Sequence, residues 1–380
     1  MTTQESPAPD PRPGSDLDIG LAVNGTVELA RVRRSGLVES RHLGAAVVTA
    51  PDGQTLAVLG DAQAPIFARS ALKPFQTAAS LTAGAPIQWD QIAVASGSHQ
   101  ATDEQIASVR SILAKVGLDE SALRCPAADR RGRPASADDA GSPLNYACSG
   151  KHAAFLAACV ESQWDTETYL DPRHPLQREV VETITQFAGA EPRLIGTDGC
   201  GAPLPAITLT ELGRMYSALG AAAYNIQADA RLATVATAML DYPEFVHAPG
   251  RANTVVMEEL GVLAKFGAEG VLCLATQGGV SVVIKSLDGS GRANHLVGLE
   301  LLIAAGAVDA VAARTVAQRL TPPVLGGDLT VGAFELGDGA LTAVEHLTGR
   351  DSESQGSEPP RTDHAGSSDA PLAAGGESAT

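Results

Sequence analysis

The stretch AAVVTAPDGQTLAVL, residues 45–59, decides the fold. Residues 45–49 and 55–59 are short runs carrying Val, Thr and Leu, and Pro51-Asp52-Gly53 between them is turn chemistry. Proline presets φ, Asp bonds its own backbone, and Gly takes the positive φ that a tight reversal needs, so the segment reads as a β-hairpin. A second strand pair, residues 270–275 and 280–286, lies around Gly278-Gly279. Between the two hairpins the apolar residues recur with helical period in residues 70–82, 103–116, 152–161, 175–187, 209–222 and 230–242. Helices lying between an early and a late hairpin predict an α+β architecture, with one antiparallel sheet built from both ends of the chain and flanked by helices.

Composition bounds the rest. The 380 residues are 44% apolar, enough to bury a sizeable core, and the net charge of −17 would repel a phosphate backbone over most of the surface. Nucleic-acid binding is therefore disfavoured. Residues 1–16 and 348–380 are rich in Ser, Gly, Pro, Asp and Glu and poor in large apolar side chains. They are expected to be disordered tails around a single folded domain over residues 17–347. The first fifteen residues lack the basic and apolar regions of a secretory signal, and no apolar run approaches the roughly 20 residues that span a bilayer. The expectation is a cytoplasmic protein without a membrane partner. Five widely spaced cysteines (Cys125, Cys148, Cys159, Cys200 and Cys273) do not form a disulfide framework. The polar run 126–141 is longer than most connections need and is expected to be a mobile loop that could act as a lid.

Five segments carry chemistry. In Arg69-Ser70-Ala71-Leu72-Lys73 the serine and lysine stand one helical turn apart, within hydrogen-bond reach, so a lysine of lowered pKa could take the hydroxyl proton. A capping serine beside a solvent-facing lysine fits the same spacing. Ala95-Ser96-Gly97-Ser98-His99 follows a short apolar run and offers two hydroxyls and a possible imidazole base, although such a loop is also an ordinary cap and turn. Cys148-Ser149-Gly150-Lys151-His152 and Thr197-Asp198-Gly199-Cys200 each bring a thiol, and together the thiols could hold a zinc ion. Two ordinary buried cysteines are the simpler alternative. Lys265-Phe266-Gly267 precedes the late hairpin, where penicillin-recognising enzymes carry a Lys-Thr-Gly triplet.

In this order, the segments resemble the class 3 L-asparaginases, the rhizobial or thermolabile type of the asparaginase II domain family, from about residue 25 to 341. The resemblance implies a fold like that of serine β-lactamases and serine-dependent glutaminases, and hydrolysis of L-asparagine to L-aspartate and ammonia. It implies two Ser-Lys pairs, Ser70 with Lys73 and Ser98 with Lys265, with Ser70 the expected nucleophile and Ser98 a relay or alternative nucleophile (Ser96 the fallback). It also implies a zinc ion near the site on Cys148, Lys151 and Cys200, with Asp198 close by, and a homodimer. Lysine coordinates a metal only as the neutral amine, so bound zinc would require a strongly lowered Lys151 pKa. Substrate contacts are expected from Asp198 to the α-ammonium, from Arg69 or Arg251 to the α-carboxylate, and from His152. Two other readings stay open: a penicillin-binding or esterase-like serine hydrolase, and a non-catalytic zinc-binding protein.

Overall fold

The structure, a computed structural model, describes residues 19–136 and 140–355, with side chains to residue 349. Eleven strands appear among these residues: β1 (Val27–Arg34), β2 (Leu37–Thr49), β3 (Thr55–Leu59), β4 (Pro65–Phe67), β5 (Leu194–Thr197), β6 (Pro203–Thr208), β7 (Leu263–Gly267), β8 (Val271–Ala275), β9 (Ser281–Ser286), β10 (Val324–Gly326) and β11 (Leu329–Leu336). Eight of them form one antiparallel sheet in the order β10-β11-β1-β2-β9-β8-β7, with β3 added beside β2. The expected hairpin is present, with Ala46 opposite Leu59 and Thr49 opposite Thr55, and the strand pair at β8 and β9 is the second. Strands from both ends of the chain therefore meet at β2 and β9. A small sheet of β4, β6 and β5 stands apart.

The helices are α1 (Lys73–Thr82), α2 (Asp90–Ser96), α3 (Asp103–Lys115), α4 (Ser149–Glu161), α5 (Pro175–Ala188), α6 (Leu209–Ala222), α7 (Ala230–Asp241), α8 (Pro243–Val246), α9 (Ala252–Leu260), α10 (Asn294–Ala304), α11 (Ala310–Leu320) and α12 (Asp338–Gln355). They cover both faces of the large sheet. A Cβ at Gly298 of α10 would meet the side chains of Leu272, Leu274 and Ile284, whereas Gly220 of α6 lies against Ala275 and Gly213 of α6 against Val47 and Thr49. Successive residues of one strand thus enter opposite helical layers. This explains why β8 reads VLCLA with no polar alternation: a strand buried on both faces has no side for water.

The six expected helices are α1 and α3 to α7, with α4 starting three residues earlier than expected, at Ser149. The boundary placed at residue 347 falls inside α12, which runs on to Gln355 because Ala340, Ala343 and Leu347 bury one stripe of it. The expected tails 1–16 and, from residue 356, 348–380 otherwise lie outside the described residues, as do residues 137–139 of the expected loop. The described part of that loop is tied down. Ala128 bridges Pro134 and Ser142, and Asp129 accepts from the backbone of Arg131 and Arg133. Among the described residues no helix is long and apolar enough to cross a membrane.

Candidate functional site

Helix α2 ends at Ser96, and Gly97 leaves it in extended conformation. A Cβ at Gly97 would stand 2.6 Å from the Phe245 carbonyl and 2.8 Å from that of Val246, so only glycine lets the two backbones meet. The Ser98 N–H then donates to Val246 O at 2.7 Å, which fixes the serine. Two amines converge on its hydroxyl. Lys73 Nζ is 3.2 Å from Ser98 Oγ and Lys265 Nζ is 3.0 Å from it. Lys73 comes from the first residue of α1 and Lys265 from the middle of β7, which is the end strand of the sheet.

The remaining partners set the roles of the two amines. Lys73 also donates to Gly97 O at 2.5 Å and Ala147 O at 2.9 Å, so three acceptors meet the three donors of an ammonium. Lys265 also donates to Phe266 O at 2.8 Å and lies 4.6 Å from the Phe266 ring centroid. Burial, reinforced by the charge of Lys73, holds its pKa well below the ordinary lysine value. A neutral amine has a lone pair to offer, so Ser98 can donate its one proton to Lys265 while accepting from Lys73. Ser98 is 3% exposed.

The hydrogen bond expected between Ser70 and Lys73 is not made. Ser70 sits in a 3-10 turn, Arg69–Leu72, that precedes α1, and its hydroxyl has no hydrogen-bond partner among the described residues. All three donors of Lys73 are engaged elsewhere, by Gly97 O, Ser98 Oγ and Ala147 O, while Ser70 is only half-buried. The turn is held from its other side. Arg69 adopts φ 53°, unusual for a side chain other than glycine, and its Nε donates to Asp198 Oδ1 at 2.7 Å. Ser96, the fallback candidate, is fully buried and its hydroxyl has no partner among the described residues.

Neither histidine serves as a base here. The Ala101 N–H donates to His99 Nδ1, so the proton lies on Nε2, which donates to Ser149 Oγ at 2.7 Å, and that hydroxyl passes its own proton to Leu144 O. Burial, helped by Lys73, lowers the His99 pKa to about 3. His152, expected to touch substrate, is instead fully buried with Nδ1 2.7 Å from Tyr169 Oη, and burial lowers it to about 3. Both rings are neutral struts.

The two cysteine loops do meet. One ligand atom from each of Cys148, Asp198 and Cys200 lies within 4.8 Å of the others, and Lys151 Nζ is 3.1 Å from Cys200 Sγ. The hydrogen bond from Cys148, with the Lys151 charge, brings Cys200 down to about 5 against the opposing effect of burial, while Cys148 is raised by that bond and by burial. Burial alone would lower Lys151, but Cys200, Cys148 and Asp198 outweigh it and raise the pKa. Without a metal the amine therefore stands as the ammonium partner of a thiolate, and it could coordinate an ion only after releasing its proton. Thiolate sulfurs on one tetrahedral ion of the zinc type are roughly 3.8 Å apart, given metal–sulfur bonds of about 2.3 Å. The spacing and softness of these donors fit a metal ion of that kind. Asp198 belongs to this cluster and to Arg69, whose Nε and carboxylate partner link it to the turn before Ser70. Arg251 is exposed at the start of α9, and its guanidinium has no hydrogen bond or ion pair among the described residues.

Sequence reading missed the carbonyls of Gly97 and Ala147 that seat Lys73. Their only signal is position, each lying next to a segment already singled out.

The family model described as L-asparaginase II matches residues 30–336. No curated protein matches the chain. Solved structures that are similar include Mglu in its native form, at 15% identity over 75% of this chain and 66% of that one with a TM-score of 0.38, and Mglu in its tris and glutamate form, at 16% over 81% and 65% with a TM-score of 0.39. A β-lactamase from Mycobacterium bovis, Mb2281c, is 17% identical over 65% of this chain and 88% of its own, with a TM-score of 0.34. The chain thus spans just under two thirds of the length of these Mglu chains.

Proposed function

Because this chain belongs to the L-asparaginase II family, matched over residues 30–336, we propose that it is an amidohydrolase of the class 3 type that converts L-asparagine to L-aspartate and ammonia. The observation that carries the reading is the Ser98 hydroxyl held between two buried amines, one of them depressed in pKa. Lys265 takes the Ser98 proton as Oγ attacks the side-chain amide carbon. The protonated amine then returns that proton to the departing nitrogen, so that the C–N bond breaks, ammonia leaves and the acyl group stays as an ester on Ser98. Water, deprotonated by the same lysine, hydrolyses the ester. Lys73 stays in place throughout, because its bonds to Gly97 O and Ala147 O anchor it.

The Ser98 N–H is spent on Val246 O, so the oxyanion needs other donors. The turn at Ser70 is the source we favour. It stands against the end strand, where a Cβ at Gly267 would meet Ala68 O at 2.4 Å, and its hydroxyl is uncommitted. The greater exposure of Ser70 favours a second reading, in which Ser70 is acylated and Ser98 relays its proton. The metal would be zinc on Cys148, Lys151 and Cys200, with Asp198 close by, and when bound it would supply a fixed positive charge that ties the two loops together.

The test is ammonia release from L-asparagine by the purified full-length protein, with peptide mapping of the acylated residue after a slow substrate or a fluorophosphonate. Release that disappears in Ser98→Ala, with the label on Ser98, supports the reading. Full turnover by Ser98→Ala would remove it. A β-lactam or ester cleaved in place of asparagine would point to the penicillin-binding class, and function lost only on removal of Cys148 to the zinc-binding class.

A further inference from the structure

Helix α9 begins without a cap. Its N-cap residue, Arg251, makes no side-chain bond to the first turn, and the N–H groups of Ala252, Asn253 and Thr254 have no hydrogen-bond partner among the described residues. Such an end carries partial positive charge and free donors. Asn253 lies in this first turn with 0% exposure, and neither its amide nitrogen nor its carbonyl oxygen has a partner. Side chains on a helix lean toward its N-terminus, so this carboxamide is directed into the same uncapped end. A fully buried amide with both groups unmet is rare in a finished structure and points to a ligand that completes it.

The fixed positive charge of the surroundings is that of Arg251, since burial holds Lys265 and His295 toward their neutral forms. The charged and titratable neighbours that act on His247, four residues before Arg251, are Lys265, Arg251 and His295, with no carboxylate among them, and with burial they lower it to about 3. His247 Nδ1 is buried and also lacks a partner. The location adjoins the reacting serine. Val246 accepts from the Ser98 N–H, the His247 ring lies 4.9 Å from that of Phe266 beside Lys265, and α9 packs on β7. Arg69, the other guanidinium in the neighbourhood of the site, is committed to Asp198.

We propose that the uncapped start of α9, with Arg251, Asn253 and His247, is the subsite that receives the α-carboxylate of the amino-acid amide. This rests on the hydrolase reading above and deepens it: Arg251 and the α9 donors, not Arg69, select free amino acids over peptides or simple amides, because only a free α-carboxylate fills the site. Arg251, exposed at the mouth, closes over the carboxylate, and the buried Asn253 donates to it from below.

Calorimetric binding of L-aspartate and L-glutamate to the full-length protein, each against its α-amide (isoasparagine and isoglutamine), separates this site from the reaction. The wild type should prefer at least one acid over its α-amide. Arg251→Gln should weaken that acid about tenfold, the size of one lost charged hydrogen bond, and leave the α-amide unchanged. A folded Asn253→Ala protein should behave in the same direction. With asparagine as substrate, both should raise KM more than they lower kcat. Equal binding of acids and α-amides by the wild type, or unaltered affinity in Arg251→Gln, overturns the proposal. Carboxylate-selective, Arg251-dependent binding without ammonia release from asparagine would leave the subsite standing and remove the hydrolase reading.

Discussion

Two serines in this chain each have a lysine in view, and the protein treats them differently. Ser70 is three residues from Lys73 on one turn, yet its hydroxyl is unpartnered and half-buried. Ser98 is separated by 25 residues from Lys73 and by 167 from Lys265, and both amines reach it. The difference lies in what surrounds the amines. A buried ammonium must be met by acceptors, and Gly97 O, Ala147 O and Ser98 Oγ provide them where Ser70 does not. Local spacing offers a pairing, and the burial of charge decides it.

The sharpest way to break this contrast is to remove each hydroxyl in turn. Ser98→Ala should lower kcat for ammonia release by at least about a thousandfold, because an uncharged nucleophile and its base act as one unit. Lys265→Met comes next, with a loss of about a hundred- to ten-thousandfold, the usual range for a general base. The wild-type pH profile should show the same group. Lys265 works as the neutral amine, so kcat/KM should fall as pH drops through its lowered pKa, and that limb should be missing from the residual activity of Lys265→Met. A wild-type profile flat from acid to neutral pH would remove Lys265 as the base. Ser70→Ala should cost about a hundredfold, the low end for loss of an oxyanion donor that is not itself attacked. Equal losses in Ser70→Ala and Ser98→Ala, with the acyl label on Ser70, would invert the comparison.

The same contrast explains what was legible in the sequence. The hairpin around Pro51-Asp52-Gly53 and the helices α1 and α3 to α7 are local: turn chemistry and apolar period specify them within a dozen residues. Helix α12 was less visible because its buried stripe is two alanines, Ala340 and Ala343, and a single large residue, Leu347, and the sequence beyond it is polar. Every chemical segment picked out by residue type does meet others in space, and the resemblance pairs Ser98 with Lys265 and Cys148 with Cys200 as the structure does, but the partner of Lys73 was not readable. Whether Lys73 turns to Ser70 or to Ser98 depends on carbonyls at Gly97 and Ala147, and backbone acceptors leave no mark in a sequence. His99 and His152 are the converse case. Their residue type suggests chemistry, yet each is a neutral ring whose bonds hold a loop, His99 to Ser149 and His152 to Tyr169.

A last difference between the two serine regions should appear in stability. Ser70 is partly exposed and its hydroxyl makes no bond among the described residues, so Ser70→Ala should leave Tm within about 1 °C of the wild type, as surface changes usually do. Lys265 is fully buried, and between its lowered folded pKa and the ordinary 10.5 the unfolded chain binds a proton that the folded protein does not. Folding is therefore penalised in that window, and the penalty disappears as pH rises past the unfolded value. Methionine fills a similar volume without that penalty, so Lys265→Met should raise Tm by about 3 °C near neutral pH while lowering turnover. The gain should shrink as calorimetry is repeated toward pH 10.5, because the wild type alone recovers stability there. A Tm that falls in Lys265→Met, by the same amount at every pH, would mean that Lys265 stabilises the fold through its bonds to Ser98 and Phe266 and is not held under strain for catalysis.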